Sequence, residues 1–528
     1  MLSMKKVFVC SSILSLTACW GGSSLEIVPL ADVSKTLSGD GEQTTYAVYQ
    51  DYLGDTLVGG FYTNNSNNDN SVKDYNGSAL SGLTGTSSRD GFVAHLGKSG
   101  TQSWIKRIGG TGADMVNAIA FDGINTYVAG RYSDNTSRAN SSVDFNGNPL
   151  TGVTGTASVD IFVAKLDSSG RQLWIKTMGG TQANDIPTTL IVSPSGYIYV
   201  GGYYQNTSTN TNQAVDFSGA TLNGKSTTSS QDAFIAKLSA TDGTQAWIKT
   251  LGGSGSDRVY KLAEDNSGAI YVPGQYVNDT SNVRGAVDFA GGVLNGASSA
   301  NSGDGYLAKL NSDGVQQWML TYGGTSQNDF GDAAMLDSSG NVFFIGSFGN
   351  DTANSAAARD FWGNTLMGLS STNSREIQIA KLTPSGSFIW VKTMGGTGSD
   401  RAQALGRDAS DNIYVSGYVS NNAANANMVV DFSGASYPGK STGAAGVDGF
   451  LVKLSNSGTQ LWARNLGGNS DDVIENMSVN SNGVVAVVGY QTNNAANDNA
   501  VTDFAGKSLA GGPSAVGVTS FLVRWNGL

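Results

Sequence analysis

The stretch "WIKTMGG" (174–180) returns as "WIKTLGG" (247–253) and "WVKTMGG" (390–396). Weaker copies of the same phrase are "WIKRIGG" (104–110), "WMLTYGG" (318–324) and "WARNLGG" (462–468). The phrase therefore occurs six times, and its glycine pairs recur about every 72 residues. A fixed period of this length indicates a repeat architecture, in which each repeat buries its apolar faces against its neighbours.

Two further markers occur seven times rather than six. An Asp-aromatic pair begins at Asp74, Asp144, Asp216, Asp288, Asp360, Asp431 and Asp503. A glycine inside a β-rich phrase such as "VGGYY" lies at Gly60, Gly130, Gly202, Gly274, Gly346, Gly417 and Gly489. The chain thus holds seven units, and one of them lacks the Trp-to-Gly-Gly phrase.

Each unit has the pattern of four short strands. In the unit after Gly396, segments rich in β-branched and aromatic residues cover 401–407, 413–419, 449–454 and 459–466. Strands such as "FIAKL" (234–238) are apolar on both faces, which indicates that both faces are covered. No segment shows sustained helical periodicity. The sequence predicts an all-β fold, a seven-bladed β-propeller of four-stranded blades over 33–528.

The missing seventh phrase has a counterpart at the N-terminus. The last unit reaches only its third strand at "FLVRWNGL", whereas "VSKTLSGDGEQ" (33–43) aligns with "WIKTLGGSGSD" (247–257). We therefore expect the N-terminal strand to complete the last blade, which pairs both otherwise open edges of the ring. Val33 stands where other copies have tryptophan, which predicts that this blade is the loosest.

The unit also resembles a known family. "GGTGSDRAQALGRDASDNIYVSGY" (395–418) and "DGFLVKLSNSGTQLW" (448–462) are similar to the repeat of bacterial seven-bladed β-propeller repeat proteins. The matching elements are the Gly-Gly-x-Gly-x-Asp opening, the Asp-x-Ser-x-Asn turn, the Tyr-Val-x-Gly and Asp-x-Phe-x-x-Lys-Leu strands and the Gly-x-x-x-Trp hairpin. The resemblance covers about residues 33–528. It implies the fold and almost nothing about function, because the family has no common activity.

The N-terminal segment resembles a bacterial lipoprotein signal peptide. A basic start precedes an apolar run that is too short to span a bilayer and ends in "LTAC" (16–19). The resemblance implies cleavage of 1–18, lipid attachment to Cys19 and a tether over 19–32; an ordinary secretory signal is the alternative. Trp20, in place of aspartate, favours the outer membrane, facing either the periplasm or the cell surface. We therefore expect a lipoprotein of the cell envelope whose only link to the membrane is its lipid.

The composition argues against several classes of function. Acidic residues outnumber basic ones by 42 to 31, which argues against a nucleic-acid partner. His95 is the only histidine, and Cys10 and Cys19 both lie in the N-terminal segment. Histidine triads and Cys/His metal clusters are therefore excluded from the mature domain. Turns such as "DSSG" (167–170) carry one Asp each, too few for a calcium loop. We expect no metal and no cofactor, and no residue can be named as catalytic.

Departures from the repeat mark candidate ligand-binding residues. Three residues after the Asp or Gln that follows each Gly-Gly, the units have Tyr46, Asn117, Thr188, Tyr260, Asp332, Gln403 and Glu475; Arg131, which follows a strand glycine, is an eighth candidate. First strands of propellers line the central channel, so these residues would form a mixed polar and aromatic ring suited to a small polar or sugar ligand. The alternative is a water-filled channel whose wall tolerates any polar side chain.

The long segment between the second and third strands is another candidate surface. It is rich in Asn, Ser and Gly, as in "NNSNNDN" (64–70), "NTSTNTNQ" (206–213) and "NNAANDN" (493–499). All seven copies would emerge on the same side of the ring. They are either a binding surface or a solvated decoration with a small hairpin of its own around "VDFSG".

The expected function is binding: a monomeric, lipid-anchored propeller that presents its loops to an envelope protein or a glycan. An enzyme acting on saccharides is one alternative, with Asp332, Glu475 and Arg131 as the first suspects. A quinoprotein-like or outer-membrane assembly propeller is another, because "LDSSGRQLWIK" (166–176) is similar to their tryptophan-docking repeats. A purely structural envelope component is the third.

Overall fold

The computed structural model describes residues 32–156, 158–181, 185–297, 302–325, 328–442, 446–512 and 517–526. The expected signal peptide, Cys19 and the tether as far as residue 31 lie outside the described residues, so the lipoprotein assignment stays a prediction. Every extended regular element in the described ranges is a β-strand. Those ranges hold no helix that is long and apolar enough to span a membrane.

Seven antiparallel sheets form the seven blades that the repeat predicts. After β1 (Val33–Leu37), blade 1 contains β2 (Gln43–Gln50), β3 (Thr56–Asn64), β4 (Ser88–Leu96) and β5 (Gln102–Ile108). Blade 2 contains β6 (Met115–Phe121), β7 (Thr126–Asp134), β8 (Ser158–Leu166) and β9 (Gln172–Met178). Blade 3 contains β10 (Ile186–Val192), β11 (Tyr197–Asn206), β12 (Ser230–Ser239) and β13 (Gln245–Leu251).

The first strand of blade 4 is split into β14 (Arg258–Val259) and β15 (Ala263–Glu264), followed by β16 (Ile270–Asn278), β17 (Ser302–Leu310) and β18 (Gln316–Tyr322). Blade 5 contains β19 (Phe330–Leu336), β20 (Val342–Asn350), β21 (Ser374–Leu382) and β22 (Phe388–Met394). Blade 6 contains β23 (Arg401–Arg407), β24 (Ile413–Asn421), β25 (Gly446–Leu454) and β26 (Gln460–Leu466). Blade 7 contains β27 (Asp472–Val479), β28 (Val485–Asn493) and β29 (Gly517–Trp525).

Blade 7 is completed by the N-terminal strand, as predicted. β1 pairs antiparallel with β29, with Val33 opposite Arg524, so the sheet order is β1-β29-β28-β27. The ring is therefore closed by the two ends of the described chain, and the outer edge of β29 is paired.

The cores lie between blades. Ile235 and Leu251 of blade 3 pack against Val259 and Val272 of blade 4, and all four are fully buried. Strands this apolar on both faces need cover on both sides, and only the two neighbouring blades supply it. The free energy of burial is thus shared by blades that cannot be stable alone.

The tryptophan of the repeated phrase joins each blade to the next. Trp174 of blade 2 lies against the turn glycine of blade 3, where a Cβ on Gly243 would be only 3.0 Å from the indole. At Gly243 φ is also +73°, a conformation that glycine adopts without strain. At the ring closure Val33 takes the tryptophan's place and lies against Gly100 of blade 1 in the same way.

The antiparallel order gives the ring two different faces. First strands begin, and second strands end, on the face that carries the long Asn/Ser/Gly segments; we name it the long-loop face. The opposite face carries only the short turns between strands one and two and between strands three and four; we name it the turn face.

Each long segment is held in place by a buried side chain at the end of the second strand. In blade 3 the side-chain oxygen Oδ1 of Asn206 accepts hydrogen bonds from the backbone N–H groups of Thr207 (2.8 Å) and Asn212 (3.2 Å). The buried residues at this position are Asn64, Asp134, Asn206, Asn278, Asn350, Asn421 and Asn493. Asp216 of the Asp-aromatic pair fastens the same segment to its blade by accepting a 2.7 Å hydrogen bond from Gln245. The positions that every unit shares therefore hold the long segments in place. The exposed residues between them are available for contact with another molecule.

Candidate functional site

Six of the seven first-strand candidates are bulged residues, and the seventh, Tyr260, lies in the break between β14 and β15. In blade 1 the pairing of β2 with β3 shifts between Thr45 and Ala47, so Tyr46 is the extra, bulged residue. The same shift leaves Asn117, Thr188, Asp332, Gln403 and Glu475 as bulged residues. A bulge re-aims the side chain away from the regular alternation of the strand. The structure thus places these residues at one level of the innermost strands.

Blade 4 has a larger break at this level. Pro273 in β16 has no N–H to donate, so only the N–H of Tyr260 pairs there, with the Pro273 carbonyl at 2.9 Å. The released segment pairs with blade 5 instead: Lys261 donates its N–H to Asp332 and accepts from Ala334. The proline therefore opens β14 from β15 and turns Lys261 inward.

Lys261 crosses the central channel. Its Nζ donates to the backbone carbonyls of Gln403 (2.7 Å) and Glu475 (3.0 Å) and to the side-chain oxygen of Asn476 (3.0 Å). These acceptors belong to blades 6 and 7, which a blade 4 side chain reaches only through the middle of the ring. Burial lowers the pKa of Lys261 to about 8, although Glu475 and Asp332 oppose the shift. Because its three protons have three acceptors, this lysine is a cross-brace of the channel.

Asp332 forms the central ion pair. Its Oδ1 accepts from both Nε (2.8 Å) and Nη2 (2.6 Å) of Arg401. The side chain of Asp332 is 2% exposed, yet its Oδ2 has no hydrogen-bond partner among the described residues. A buried carboxylate oxygen without a donor is costly, so this atom is a ready acceptor for a hydroxyl group.

Arginines and aromatic rings surround the long-loop mouth of the channel. Guanidinium groups lie over rings in five contacts: Arg89 on Phe61 (4.8 Å), Arg258 on Tyr203 (4.7 Å), Arg375 on Phe330 (4.9 Å), and Arg401 on both Phe330 (4.5 Å) and Tyr260 (5.4 Å). We name Arg89, Arg131, Arg258, Arg375 and Arg401 the arginine ring. Stacking orients the four guanidinium groups that lie over rings and leaves their planar edges available for hydrogen bonds, which Arg89 makes to Glu42 and Arg401 to Asp332.

Tyrosine pKa values show that these groups share one site. Burial raises the pKa of Tyr46 to about 12, with help from Glu475 and against the charges of Arg131 and Arg89. Burial likewise raises the pKa of Tyr203 against Arg258 and Arg131, and that of Tyr418 against Arg401 and Arg375. Arginines from blades 1, 2, 4, 5 and 6 therefore act on tyrosines around the same opening.

The three suspects of the enzyme hypothesis are engaged with other residues of the site. Asp332 is paired with Arg401, and the Glu475 backbone binds Lys261. Arg131 makes no ion pair within the described part of the chain and acts on Tyr46 and Tyr203 instead.

Sequence reasoning missed Lys261 and four of the five arginines, although the same signal could have found Lys261, Arg258 and Arg401. One position after the bulge the units read Ala47, Ala118, Thr189, Lys261, Ala333, Ala404 and Asn476, so the lysine departs from small residues. One position after the acidic residue they read Thr44, Met115, Ile186, Arg258, Phe330, Arg401 and Val473. The predicted candidates occupy only two positions of the repeat, whereas side chains at neighbouring positions of the first strand also face the mouth.

A different set of residues, shared by the blades, forms carboxyl pairs at blade interfaces. The first member of each pair lies in the third strand of a blade, and the second lies directly before the first strand of the next blade or, for Asp472, at its first residue. The pairs are Asp90/Asp114, Asp160/Asp185, Asp232/Asp257, Asp304/Asp329, Glu376/Asp400 and Asp448/Asp472. All twelve are fully buried. At the seventh interface Thr519 and Gln43 take these positions, so that pair carries no charge.

These carboxyls serve the blades rather than the channel. Asp257 accepts the backbone N–H of Gly253 (3.0 Å) and of Val277 (2.9 Å), which ties the inter-blade connection to the end of the second strand. Across the described residues, no group of three or more His, Cys, Asp or Glu side chains is arranged to hold a metal ion. The hydrogen bonds of Asp257 thus give the acidic position after Gly-Gly a structural role.

No family model matches the chain. Regulatory protein FlaEY of Caulobacter vibrioides is 25% identical over 436 residues, which cover 79% of this chain and 39% of that protein. An uncharacterized WD repeat-containing protein of Acanthamoeba polyphaga mimivirus is 22% identical over 481 residues, or 82% of this chain and 34% of that protein. The chain therefore spans well under half the length of the curated relatives it matches.

Solved structures with a similar shape include two dehydrogenases. The quinohemoprotein alcohol dehydrogenase from Comamonas testosteroni has a TM-score of 0.39 and 11% identity, over 96% of this chain and 79% of that one. A europium-containing methanol dehydrogenase has a TM-score of 0.36 and 10% identity, over 94% of this chain and 93% of that one. Likeness at this level concerns shape only and assigns no chemistry to this chain.

Proposed function

We propose that this protein is a binding propeller of the bacterial cell envelope, which holds a protein or glycan partner at the long-loop mouth of its channel. The arginine ring is the observation that carries the proposal. Arg131 and Arg375 each bury an Nε atom that has no hydrogen-bond partner among the described residues. A channel wall that merely tolerated polar groups would not need to gather cations in a chain with a net charge of −11.

The closed ring suits binding. β1 pairs with β29, and Lys261 braces blades 4, 6 and 7, so the mouth has a rigid frame. A preorganised site loses little conformational entropy when its ligand binds. The long segments rise around this mouth and add a polar Asn/Ser/Gly rim that is suited to contact with a partner.

Capture from solubilised cell envelope tests the proposal. The full chain, immobilised on beads, is expected to retain a saturable partner that free protein competes away. The Arg131→Gln/Arg375→Gln double variant, immobilised in the same way, is expected to retain less of this partner. Equal retention by both forms would move binding away from the mouth, and lack of any saturable partner would refute the binding role.

The anchor is tested separately. Cells labelled with radioactive palmitate are expected to incorporate label into the protein, and Cys19→Ala is expected to abolish both the label and recovery in the membrane fraction. Label that persists in Cys19→Ala, or an unlabelled wild type, would overturn the lipoprotein part of the proposal and leave the binding part intact.

A further inference from the structure

The arginine ring offers more cationic hydrogen-bond donors than its neighbours use. Arg401 is paired with Asp332, and Arg89 with Glu42 at 2.5 Å. Arg258 donates to the neutral oxygen of Gln231 at 2.9 Å. Within the described ranges Arg131, Arg258 and Arg375 belong to no ion pair. Three guanidinium groups at one opening thus make no direct ion pair with the described residues, although Asp114, Asp257 and Asp329 lie close enough to interact electrostatically with them.

Half-burial makes those charges selective for anions. Burial lowers the pKa of Arg131, which shows that its guanidinium is partly desolvated, but an arginine remains charged at any physiological pH. A desolvated, unpaired guanidinium gains most from a carboxylate, sulfate or phosphate that binds it through two hydrogen bonds.

Acceptors at the same opening point to hydroxyl groups on the ligand. Asp332 Oδ2 and Asn117 Oδ1 are buried oxygens without a donor among the described residues. Neither can bind an anionic group, and both would accept from a hydroxyl. A ligand that carries acid and hydroxyl groups together satisfies the arginines and these oxygens at once.

We infer that the long-loop mouth binds an acidic saccharide, one whose sugar units bear carboxylate or sulfate groups. The inference rests on the proposed binding function and specifies the chemistry of its ligand. Acid groups lie against Arg131, Arg258 and Arg375, and sugar hydroxyls donate to Asp332. An acidic peptide would satisfy the arginines but supplies few hydroxyl donors.

Titration calorimetry of the full chain with defined probes tests this inference. The probes are oligogalacturonate for carboxylate, a heparin-derived oligosaccharide for sulfate, a neutral malto-oligosaccharide and an oligoglutamate peptide. We expect at least one acidic saccharide to bind, with an affinity that falls as salt rises, and the neutral sugar and the peptide to bind about tenfold more weakly or not at all.

Two variants locate the site. Arg131→Gln/Arg375→Gln is expected to weaken acidic saccharide binding by about tenfold or more, because each lost charge-assisted contact contributes strongly. Arg171→Gln removes the same charge from an exposed arginine on the turn face and is expected to leave binding unchanged. Urea unfolding of each variant confirms that any loss of binding occurs in folded protein.

Each result decides between the two proposals. Preferred binding of oligoglutamate, or equal affinity of the double variant, would overturn the acidic saccharide. If no probe binds but the envelope capture still yields a partner that depends on the arginines, the ligand chemistry is wrong and the binding function stands. If neither experiment yields binding, both proposals fail.

Discussion

Replacing one buried carboxyl at a blade interface is expected to stabilise the protein in a pH-dependent way. Asp232 of blade 3 faces Asp257 of blade 4, and Gly252 lies between them. A side chain at Gly252 would collide with Asp232 Oδ1, so the site has no room for one. Asp232 Oδ2 accepts the N–H of Lys225 at 2.8 Å, while its Oδ1 has no partner among the described residues. In Asp232→Asn the amide oxygen can keep the bond to Lys225, and the NH₂ group replaces the unpartnered oxygen.

The size of the effect follows from the pKa. Burial raises the pKa of Asp232 from 3.8 to about 8, with a further contribution from the charge of Asp257, and the hydrogen bond from Lys225 opposes the shift. The folded protein therefore keeps a proton that the unfolded chain releases above pH 4, so stability falls as pH rises towards 8. At about 1.4 kcal/mol per pH unit above 3.8, the uptake of this proton on folding costs the wild type at most about 4 kcal/mol at pH 7. Asparagine removes this cost.

Urea unfolding at about pH 4.5, 6 and 7.5 measures the effect. We expect the free energy of unfolding of Asp232→Asn to match that of the wild type at the lowest pH and to exceed it by about 2 kcal/mol at the highest. The difference stays below the upper limit of about 4 kcal/mol because relaxation around the charged form reduces the cost. Asp313→Asn removes the same charge at an exposed turn and serves as control. A difference that does not change with pH, or an asparagine variant that is less stable throughout, would refute the reasoning.

Three further predictions concern the ring. Wild-type stability should decrease between about pH 4 and 8, because burial also raises the pKa of Asp257 to about 7 and that of Asp304 to about 8; a urea midpoint that rises over this range would contradict it. Val33→Trp should raise the free energy of unfolding in urea by about 1 kcal/mol, because it restores the contact that other blades make between tryptophan and the turn glycine, here Gly100; Val33→Gly should lower it. Lys261→Met should cost about 2 kcal/mol in urea unfolding, because two backbone carbonyls lose their donor; an unchanged midpoint would show that channel water replaces the amine.

Most of the fold could be predicted from sequence because the repeat states it seven times. The period, the strand pattern and the missing phrase together predicted seven blades and closure by β1, and the structure confirms each. The split of β14 from β15 was not predicted, although Pro273 is visible in the sequence. A proline in a strand forecasts a lost hydrogen bond, but only the geometry shows which way the released chain turns.

The site was less predictable, because a ligand mouth is made by residues from several blades. The first-strand candidates were placed at one level, yet the contacts that define the mouth, such as Arg401 with Asp332 and Lys261 with Gln403, join blades that lie far apart in sequence. No local pattern encodes a pair of this kind. Ranking residues by their departure from the repeat identifies the participants and leaves their partners unknown.

The division between shared and variable positions is itself an argument about function. Residues common to the units, such as Asp216 and Asp257, make hydrogen bonds that every blade needs, although some shared carboxyls, such as Asp232, also keep one oxygen without a partner among the described residues. Side chains that break the repeat, such as Arg131 and Arg375, gather at a single opening and retain unpartnered atoms there. Stability alone would favour replacing such atoms by apolar groups, because a buried unpaired donor destabilises the fold. What sets Arg131 and Arg375 apart is that they bring positive charge to one mouth in a departure from the repeat, and this observation favours the binding role that we propose.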